Sequence, residues 1–111
     1  MTRNAVVSGD DITILQTLKR DGVAVDVSGA TKIESRLVAA TTGALVTDVV
    51  EQANSGGADW SAGVVEHVFL SAQTLDSAYV GAVLLETQVT IAGLKTTWMS
   101  SGVQLLRGTI P

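Results

Sequence analysis

Hydrophobic and polar residues alternate along most of this chain with a period of two, which is typical of β-strands that have one buried face. The longest such stretch, residues 79–91, reads YVGAVLLETQVTI. The positions on its apolar side are Val83, Leu85, Thr87, Val89 and Ile91, and those on its wetter side are Leu84, Glu86, Gln88 and Thr90. At about 3.3 Å per residue the stretch would span roughly 40 Å. The pattern therefore predicts a central strand around which shorter strands pack.

Shorter alternating stretches predict further strands at residues 11–20, 31–39, 44–50, 64–70, 94–99 and 103–110, with an edge strand or lead-in at 5–7. Asp21-Gly22 predicts a tight hairpin, because both central positions of such a turn favour positive φ. Ala92-Gly93 and the run 100–102 (SSG) predict two more turns. This spacing predicts an all-β fold, a β-sandwich of about seven to nine short antiparallel strands in one domain, residues 1–111.

Two segments between the strands carry their own predictions. Residues 71–77 (SAQTLDS) are interpreted as one helical turn, with Ser71 as its cap and Leu75 turned inward. Residues 51–63 form the longest predicted loop and contain Trp60. Trp60 is interpreted either as a plug over the open end of the core or as a contact for a partner protein, since Trp is enriched among binding hot spots.

Composition narrows the classes of function. Only 16% of residues are charged and the net charge is −4, which argues against a nucleic-acid partner. No apolar run is long enough to span a membrane, and the N-terminal MTRNAVVSGDD does not have the pattern of a secretory signal. The chain has no cysteine, so no disulfide and no thiolate metal site is predicted. We expect a protein made in the cytoplasm with no membrane partner.

The charges are unevenly distributed. Residues 37–94 contain no Lys or Arg, and their acids are Asp48, Glu51, Asp59, Glu66, Asp76 and Glu86. If the middle strands share a face, that face is acidic and suits a basic partner. Alternatively, these are scattered outward and loop positions, and sequence spacing does not decide between the two.

No group of residues has the pattern of an active site. His67 is the one histidine and stands inside a predicted strand, without a second His or a Cys nearby. Asp10, Asp11 and Asp59 do not follow the alternating oxygen pattern of a calcium loop. Gly56-Gly57 lacks the Lys and the strand–turn–helix context of a phosphate-binding loop. We therefore predict no enzymatic activity, no metal and no cofactor.

The order of turns and strands resembles a known domain. The entry Gly9-Asp10-Asp11, the run DGVAVDVSGAT at 21–31, the short turn that leads to Tyr79 and the closing hairpin at 93–111 follow one another in this order. Together they resemble the immunoglobulin-like domain at the N-terminus of baseplate upper proteins of tailed phages, and related small phage structural proteins. In baseplate upper proteins more chain follows this domain, whereas the present sequence ends at Pro111.

The resemblance implies an immunoglobulin-like β-sandwich that acts as a binding scaffold, without a cofactor, in symmetric rings or trimers. The expected function is that of a phage virion structural protein, in the baseplate, in the tail or neck, or on the capsid surface as a decoration protein. Its partners would be other virion proteins and copies of itself, and Tyr79 would form a tyrosine corner.

Four residues are the candidate contacts for such partners: Trp60, Trp98, Met99 and Arg36. Trp98 alternates with Leu94 and Thr96, so a place in the core is the other interpretation of that residue. The alternative function is a carbohydrate- or host-surface-binding module, which would need two or three aromatic side chains on one face.

Overall fold

The computed structural model of the chain describes residues 4–7, 11–75 and 81–106, with side chains at 11–75 and 81–100. Its strands are β1 (Asn4–Val7), β2 (Ile12–Thr17), β3 (Lys19–Arg20), β4 (Val23–Ala24), β5 (Lys32–Ala39), β6 (Val50–Gln52), β7 (Val64–Phe69), β8 (Gly81–Ile91) and β9 (Leu94–Leu106). Two single turns of 3₁₀ helix, Trp60–Ala62 and Ser71–Gln73, complete the described structure. The predicted class, an all-β sandwich of seven to nine strands, is confirmed.

The strands form two facing layers. The main sheet has the order β1-β9-β8-β5-β6, with antiparallel neighbours except for the parallel pair β1–β9. The small sheet is the antiparallel pair β2–β7, and β3–β4 is a separate hairpin. Ile14 and Phe69 of the small sheet pack with Leu37 and Leu85 of the main sheet. The small sheet therefore lies across β5 and β8.

The long strand occupies the predicted central position. β8 has β5 on one side and β9 on the other. Val83, Leu85, Thr87 and Val89 are buried in it, while the residues between them are partly exposed, as the alternation predicted. Tyr79 lies outside the described residues, and with it the predicted tyrosine corner.

Both predicted hairpin turns are confirmed. Asp21 and Gly22 have φ values of 53° and 79°, and Ala92 and Gly93 have values of 51° and 81°. Two consecutive residues with positive φ define the tight turn that matches the right-handed twist of antiparallel strands. The predicted strand at 11–20 is divided at Leu18 into β2 and β3. The Leu18 N–H still bonds to the Gly63 carbonyl at 2.8 Å, in register with β7, but the Leu18 carbonyl accepts the Val25 N–H at 2.9 Å and the Gly63 N–H turns to the Trp60 carbonyl.

The predicted strand at 44–50 is wrong. Only isolated bridges occur there, and the N–H groups of Val46 and Thr47 both donate to the carbonyl of Leu37, at 2.8 and 3.3 Å. Two consecutive donors on one acceptor break the alternation of a strand. Val46 and Thr47 are consequently both buried, and regular pairing begins only at Val50.

The prediction for residues 71–77 is partly wrong. Ser71 begins the helical turn instead of capping it; the N-cap is Leu70, whose N–H donates to Gln73 Oε1 at 2.7 Å. Leu75 was predicted to turn inward but is 55% exposed. Its N–H bonds to the Val46 carbonyl at 2.8 Å, which ties the backbone to the neighbouring segment and leaves the side chain outside.

The predicted turn at 100–102 is a β-bulge within a continuous strand. β9 runs for 13 residues. Its register with β8 shifts between Val83 and Leu85, which lie opposite Val103 and Ser100. Ser101 and Gly102 therefore lie opposite one residue of β8, as in a bulge that bends the strand without ending it.

The core has two apolar clusters with a polar layer between them. The first cluster contains Ile12, Ile14, Leu37, Ala39, Val46, Phe69, Val83 and Leu85. The second contains Leu18, Val27, Ile33, Trp60, Val65 and Val89. Between them, β2, β5, β7 and β8 contribute Gln16, Ser35, His67 and Thr87, which we call the polar layer. Each of the four lies two residues from a member of either cluster, so the strands must keep one common register.

The polar layer bonds internally. Gln16 Oε1 accepts from Thr87 Oγ1 and lies 2.8 Å from His67 Nε2. Gln52, on β6, donates from Nε2 to Ser35 Oγ at 3.0 Å. Buried polar groups cost little only when they are paired in this way.

Gln52 also joins the two sheets along one side, at a seam between β6 and β7. Its Oε1 accepts from the Val68 N–H at 3.0 Å, and its Nε2 lies 3.3 Å from the Val68 carbonyl. The side-chain amide thus pairs with the edge of β7 as a backbone amide would. β6 and β7 belong to different sheets, so this residue closes the sandwich where the ladders do not.

We expect Gln52→Leu, which keeps the side-chain volume, to lower the free energy of unfolding by about 2–3 kcal/mol, because it leaves Val68 and Ser35 without partners. Urea denaturation measures this. The control, Gln88→Leu on the partly exposed face of β8, should stay within about 0.5 kcal/mol of wild type. Equal effects at both positions would contradict the role of Gln52.

Gly63 allows a close approach of two backbone segments. Its φ is +76°, and a Cβ at this position would lie 2.7 Å from the Val25 carbonyl oxygen and 3.0 Å from that of Leu18. Gly22 has a similar φ of +79° but no atom within 4 Å of the same position. Positive φ is costly for any other residue at both sites, whereas only Gly63 would also have a steric clash.

We expect Gly63→Ala to destabilise the protein by about 3 kcal/mol or more, and Gly22→Ala by only about 1 kcal/mol, the cost of positive φ alone. Thermal unfolding of the two variants side by side measures the difference. Similar melting temperatures for both would show that the backbone approach at Gly63 is not tight.

Candidate docking surface

One face of the main sheet is turned away from the small sheet, and we call it the outer face. Across β5, β8 and β9, Arg36, Glu86 and Met99 lie side by side in register. Met99 is 52% exposed, and Arg36 Nε lies 3.4 Å from Glu86 Oε1. The structure thus brings together two of the four candidate contacts, Arg36 and Met99.

The rest of the outer face has mixed charge. The next rows are Glu34, Gln88 and Thr97, and then Lys32, Thr90 and Lys95. Lys32 Nζ lies 3.4 Å from Glu34 Oε1, while Glu51 of β6 lies opposite Glu34. Such partly exposed pairs contribute little stability. A partner that docks here would meet alternating charges and not a field of one sign.

The described acids of residues 37–94 do not form one acidic face, and Asp76 lies outside the described residues. Glu86 is paired with Arg36 on the outer face. Glu66 lies on the small sheet, where its Oε2 accepts the Gly57 N–H at 2.9 Å. Of the two interpretations of the acidic segment, the described residues favour scattered positions.

Trp98 points to the opposite side of β9 from Met99. Its ring packs against the second apolar cluster, and Nε1 donates to the Lys19 carbonyl at 3.1 Å. The guanidinium carbon of Arg20 lies 6.0 Å from the ring centroid, within the range of a cation–π contact. Trp98 is therefore partly buried against the core, on the side that its alternation with Leu94 and Thr96 indicated, and it anchors β9 to the β3–β4 hairpin.

Trp60 is a core residue. It is 8% exposed and belongs to the second apolar cluster, while its backbone carbonyl accepts the Val27 N–H at 2.8 Å. The interpretation of Trp60 as a plug over the core is confirmed. Its side chain is not exposed as a partner contact would be, because the 3₁₀ turn folds it inward.

A shallow cavity of about 230 Å³ lies along the seam between β6 and β7. It is lined by Val50, Glu51, Gln52, Ala53, Ser55, Glu66, Val68, Leu70 and Gln73. Its two carboxylates belong to Glu51 and Glu66. Glu66 accepts a hydrogen bond from the Gly57 N–H, and the amide of Gln52 bonds to the backbone of Val68. Glu66 and Gln52 therefore already have hydrogen-bond partners within the protein and are not free to hold a ligand.

His67 is the one titratable side chain of the polar layer and is fully buried. Gln16 Oε1 is only an acceptor, so His67 Nε2 carries a proton. Nδ1 has no hydrogen-bond partner. Burial lowers the pKa of His67 to about 4, because the charged form loses its hydration. The contacts are those of a structural residue.

The described residues contain no group of three or more His, Cys, Asp or Glu side chains that could hold a metal ion. None of the helices in the described part of the chain is long and apolar enough to cross a membrane. The chain matches no protein-family model, and no curated protein is significantly similar to it. The function has to be inferred from the exposed surfaces.

Among the described side chains of the main sheet, those at the start of β9 are the most exposed, and the sequence predicted this segment only in part. Leu94 is 75% exposed, and residues 95–97 are also exposed. The alternation at 94–99 predicted a strand, but it did not indicate which strands pair with it. In the structure β1 pairs only with Val103–Leu106, further along.

We expect the stability to fall as the pH falls from 7.5 to 5.5, by about 1.3 kcal/mol. The pKa of His67 is lower in the folded than in the unfolded state, so the unfolded chain takes up a proton first. Urea denaturation at several pH values measures the slope. His67→Gln should remove it over this range, and an unchanged slope in that variant would assign the effect to other groups.

Proposed function

We propose that the protein is a structural subunit of a phage virion, which docks to copies of itself and to other virion proteins. Its place would be the baseplate, the tail or neck, or the capsid surface. It works through shape, apolar contact and pairing of strand edges, with no chemical step. An immunoglobulin-like sandwich is a suitable scaffold, because rigid layers hold the docking surfaces in place.

The observation that carries this proposal is the exposure of Leu94–Met99 on β9. Leu94 is the most exposed large apolar side chain of the described residues, and Met99 at the other end of the same short segment is 52% exposed on the opposite face of the strand. Exposed apolar side chains beside a free sheet edge are suited to burial in an assembly. The adjoining outer face adds a flat surface of mixed charge.

The placement in a virion is supported by the resemblance in the order of turns, and by the all-β sandwich that this resemblance implied. The Asp21-Gly22 hairpin and the long strand β8 occur as the resemblance leads one to expect. The closing hairpin of the resemblance, residues 93–111, differs in the structure: residues 94–106 form the single strand β9, which carries the exposed segment.

The alternative, a carbohydrate- or host-surface-binding module, is less well supported. Such modules use exposed aromatic rings, whereas Trp60 and Phe69 are buried. Trp98 is held beneath the β3–β4 hairpin by its bond to Lys19. Within the described residues no two aromatic side chains form an open platform.

We expect the protein in purified phage particles of its source, at a copy number that is a multiple of the symmetry of a ring or capsid site, as quantitative mass spectrometry would show. Leu94→Lys should lower its incorporation at least tenfold, because a charge then occupies the docking segment. Leu15→Lys is the control, since Leu15 is also exposed, at 60%, but lies on β2 opposite Glu66. Particles that lack the protein, together with selective binding to a glycan array, would favour the alternative.

A further inference from the structure

Among the described residues, the outer edge of β9 has no paired strand between Leu94 and Met99. β8 pairs with one side of this segment. On the other side, β1 begins only opposite Val103, and no other described strand pairs there. Free strand edges are the part of a sheet on which another strand is most readily added.

The hydrogen-bonding phase of β9 identifies the free groups. In a two-residue hairpin turn the flanking residues, here Ile91 and Leu94, form a hydrogen-bonded pair, and such pairs alternate along the ladder. Lys95, Thr97 and Met99 therefore direct their N–H and C=O groups away from β8. Thr90, opposite Lys95, agrees with this phase, because its carbonyl accepts the Thr31 N–H at 2.8 Å on the side of β5.

The segment is suited to strand pairing. Its sequence, LKTTWM, contains one charge and three residues of high β-propensity, Thr96, Thr97 and Trp98. Lys95 is the only charged residue of the segment, and lysine protects strand edges from indiscriminate pairing. A partner strand must therefore place something other than a cation opposite Lys95.

We propose that the partner is a second copy of this chain, which pairs its own β9 edge antiparallel to the first about a two-fold axis at Thr97. This inference specifies one interface of the docking subunit proposed above and rests on that proposal. A two-fold axis perpendicular to the sheet places the same face of both copies on the same side. Because paired residues of antiparallel strands point to the same side, one residue of β9 must lie opposite the same residue of the second copy. The question is which residue this is.

Charge repulsion and the position of β1 leave two possible registers for the pairing of the two β9 edges. An axis at Lys95 places two cations directly opposite one another, which is unfavourable. An axis at Trp98 places Gly93 of the second copy opposite Val103, where β1 already pairs. Axes at Thr96 and Thr97 avoid both problems.

Hydrogen bonding favours the axis at Thr97. There, Thr97 pairs with itself and Lys95 pairs with Met99 of the second copy, so that all the outward N–H and C=O groups of the segment form about six hydrogen bonds. An axis at Thr96 pairs Lys95 with Thr97 and leaves Met99 unused. The Thr97 register also packs the aliphatic stem of each Lys95 against a Met99 side chain, which covers an exposed apolar group.

The absence of cysteine from the sequence allows a direct test of the register. In the proposed pairing the two Thr97 Cα atoms would be about 5.5 Å apart, within the range of a disulfide. The two Lys95 Cα atoms would be about 14 Å apart, which is beyond it. The variants T97C, T96C and K95C are oxidised at equal protein concentration and compared on a non-reducing gel.

We expect the cross-linked fraction of T97C to exceed those of T96C and K95C at least tenfold. A larger fraction for T96C would overturn the register, and equal fractions for all three would overturn the interface. If the protein is incorporated into virions but T97C does not cross-link, this inference fails while the proposed function stands.

A second measurement does not depend on cysteine. Thr97→Pro removes an N–H that the single chain does not use, and proline is tolerated at strand edges of this kind. It should weaken self-association at least tenfold in sedimentation equilibrium, while Thr97→Ala, which keeps the N–H, associates as wild type does. Circular dichroism checks that both variants are folded, and a wild-type protein that stays monomeric at high concentration would overturn the proposal.

Discussion

The alignment of the buried polar layer is the constraint on which the rest of the sandwich depends. Gln16, Ser35, His67 and Thr87 come from four strands and two sheets, yet they have to meet at one level of the core. A slip of one residue in any of these strands would turn its polar side chain outward and place a neighbour in the core. The layer therefore favours one register between the sheets, whereas an entirely apolar interface would tolerate several.

The width of the two layers explains why β9 is exposed. Strands lie about 4.8 Å apart, so the two strands of the small sheet cannot cover the five strands of the main sheet. They lie over β5 and β8, which supply most main-sheet members of the core. On β9 the β3–β4 hairpin covers Trp98 but leaves Leu94 and Thr96 exposed. The candidate docking segment thus follows from the unequal number of strands in the two layers.

Much of the fold could be predicted because it depends on local signals. The alternation in β7, in β8 and in β5 as far as Leu37 predicts which side chains are buried, whereas Val38 is buried against it. Two residues with positive φ explain the turns at Asp21-Gly22 and Ala92-Gly93. The errors have non-local causes. Val46 and Thr47 are adjacent and both buried because they share the Leu37 carbonyl, a bond between distant segments that no local pattern contains.

The candidate site was less accessible to sequence reasoning for a similar reason. Met99 and Arg36 could be selected as outward residues, but their common row on the outer face depends on the pairing of β8 with both β5 and β9. Trp60 could not be separated from a surface contact by composition alone, since its burial depends on the turn that folds it toward Val27. The free edge of β9 is a property of sheet order, which hydrophobic periodicity does not encode.

The position of Trp98 next to Met99 links the core to this edge. Successive residues of a strand point to opposite faces, so the anchoring of Trp98 to the Lys19 carbonyl also fixes the backbone of its neighbours. Thr97 and Met99 consequently present their free N–H and C=O groups from a strand already held by β8 on one side and by the hairpin below. An edge that is ordered before binding loses less conformational entropy when a partner strand pairs with it. The packing of Trp98 therefore stabilises the sandwich and also keeps the exposed edge of β9 ordered for strand pairing.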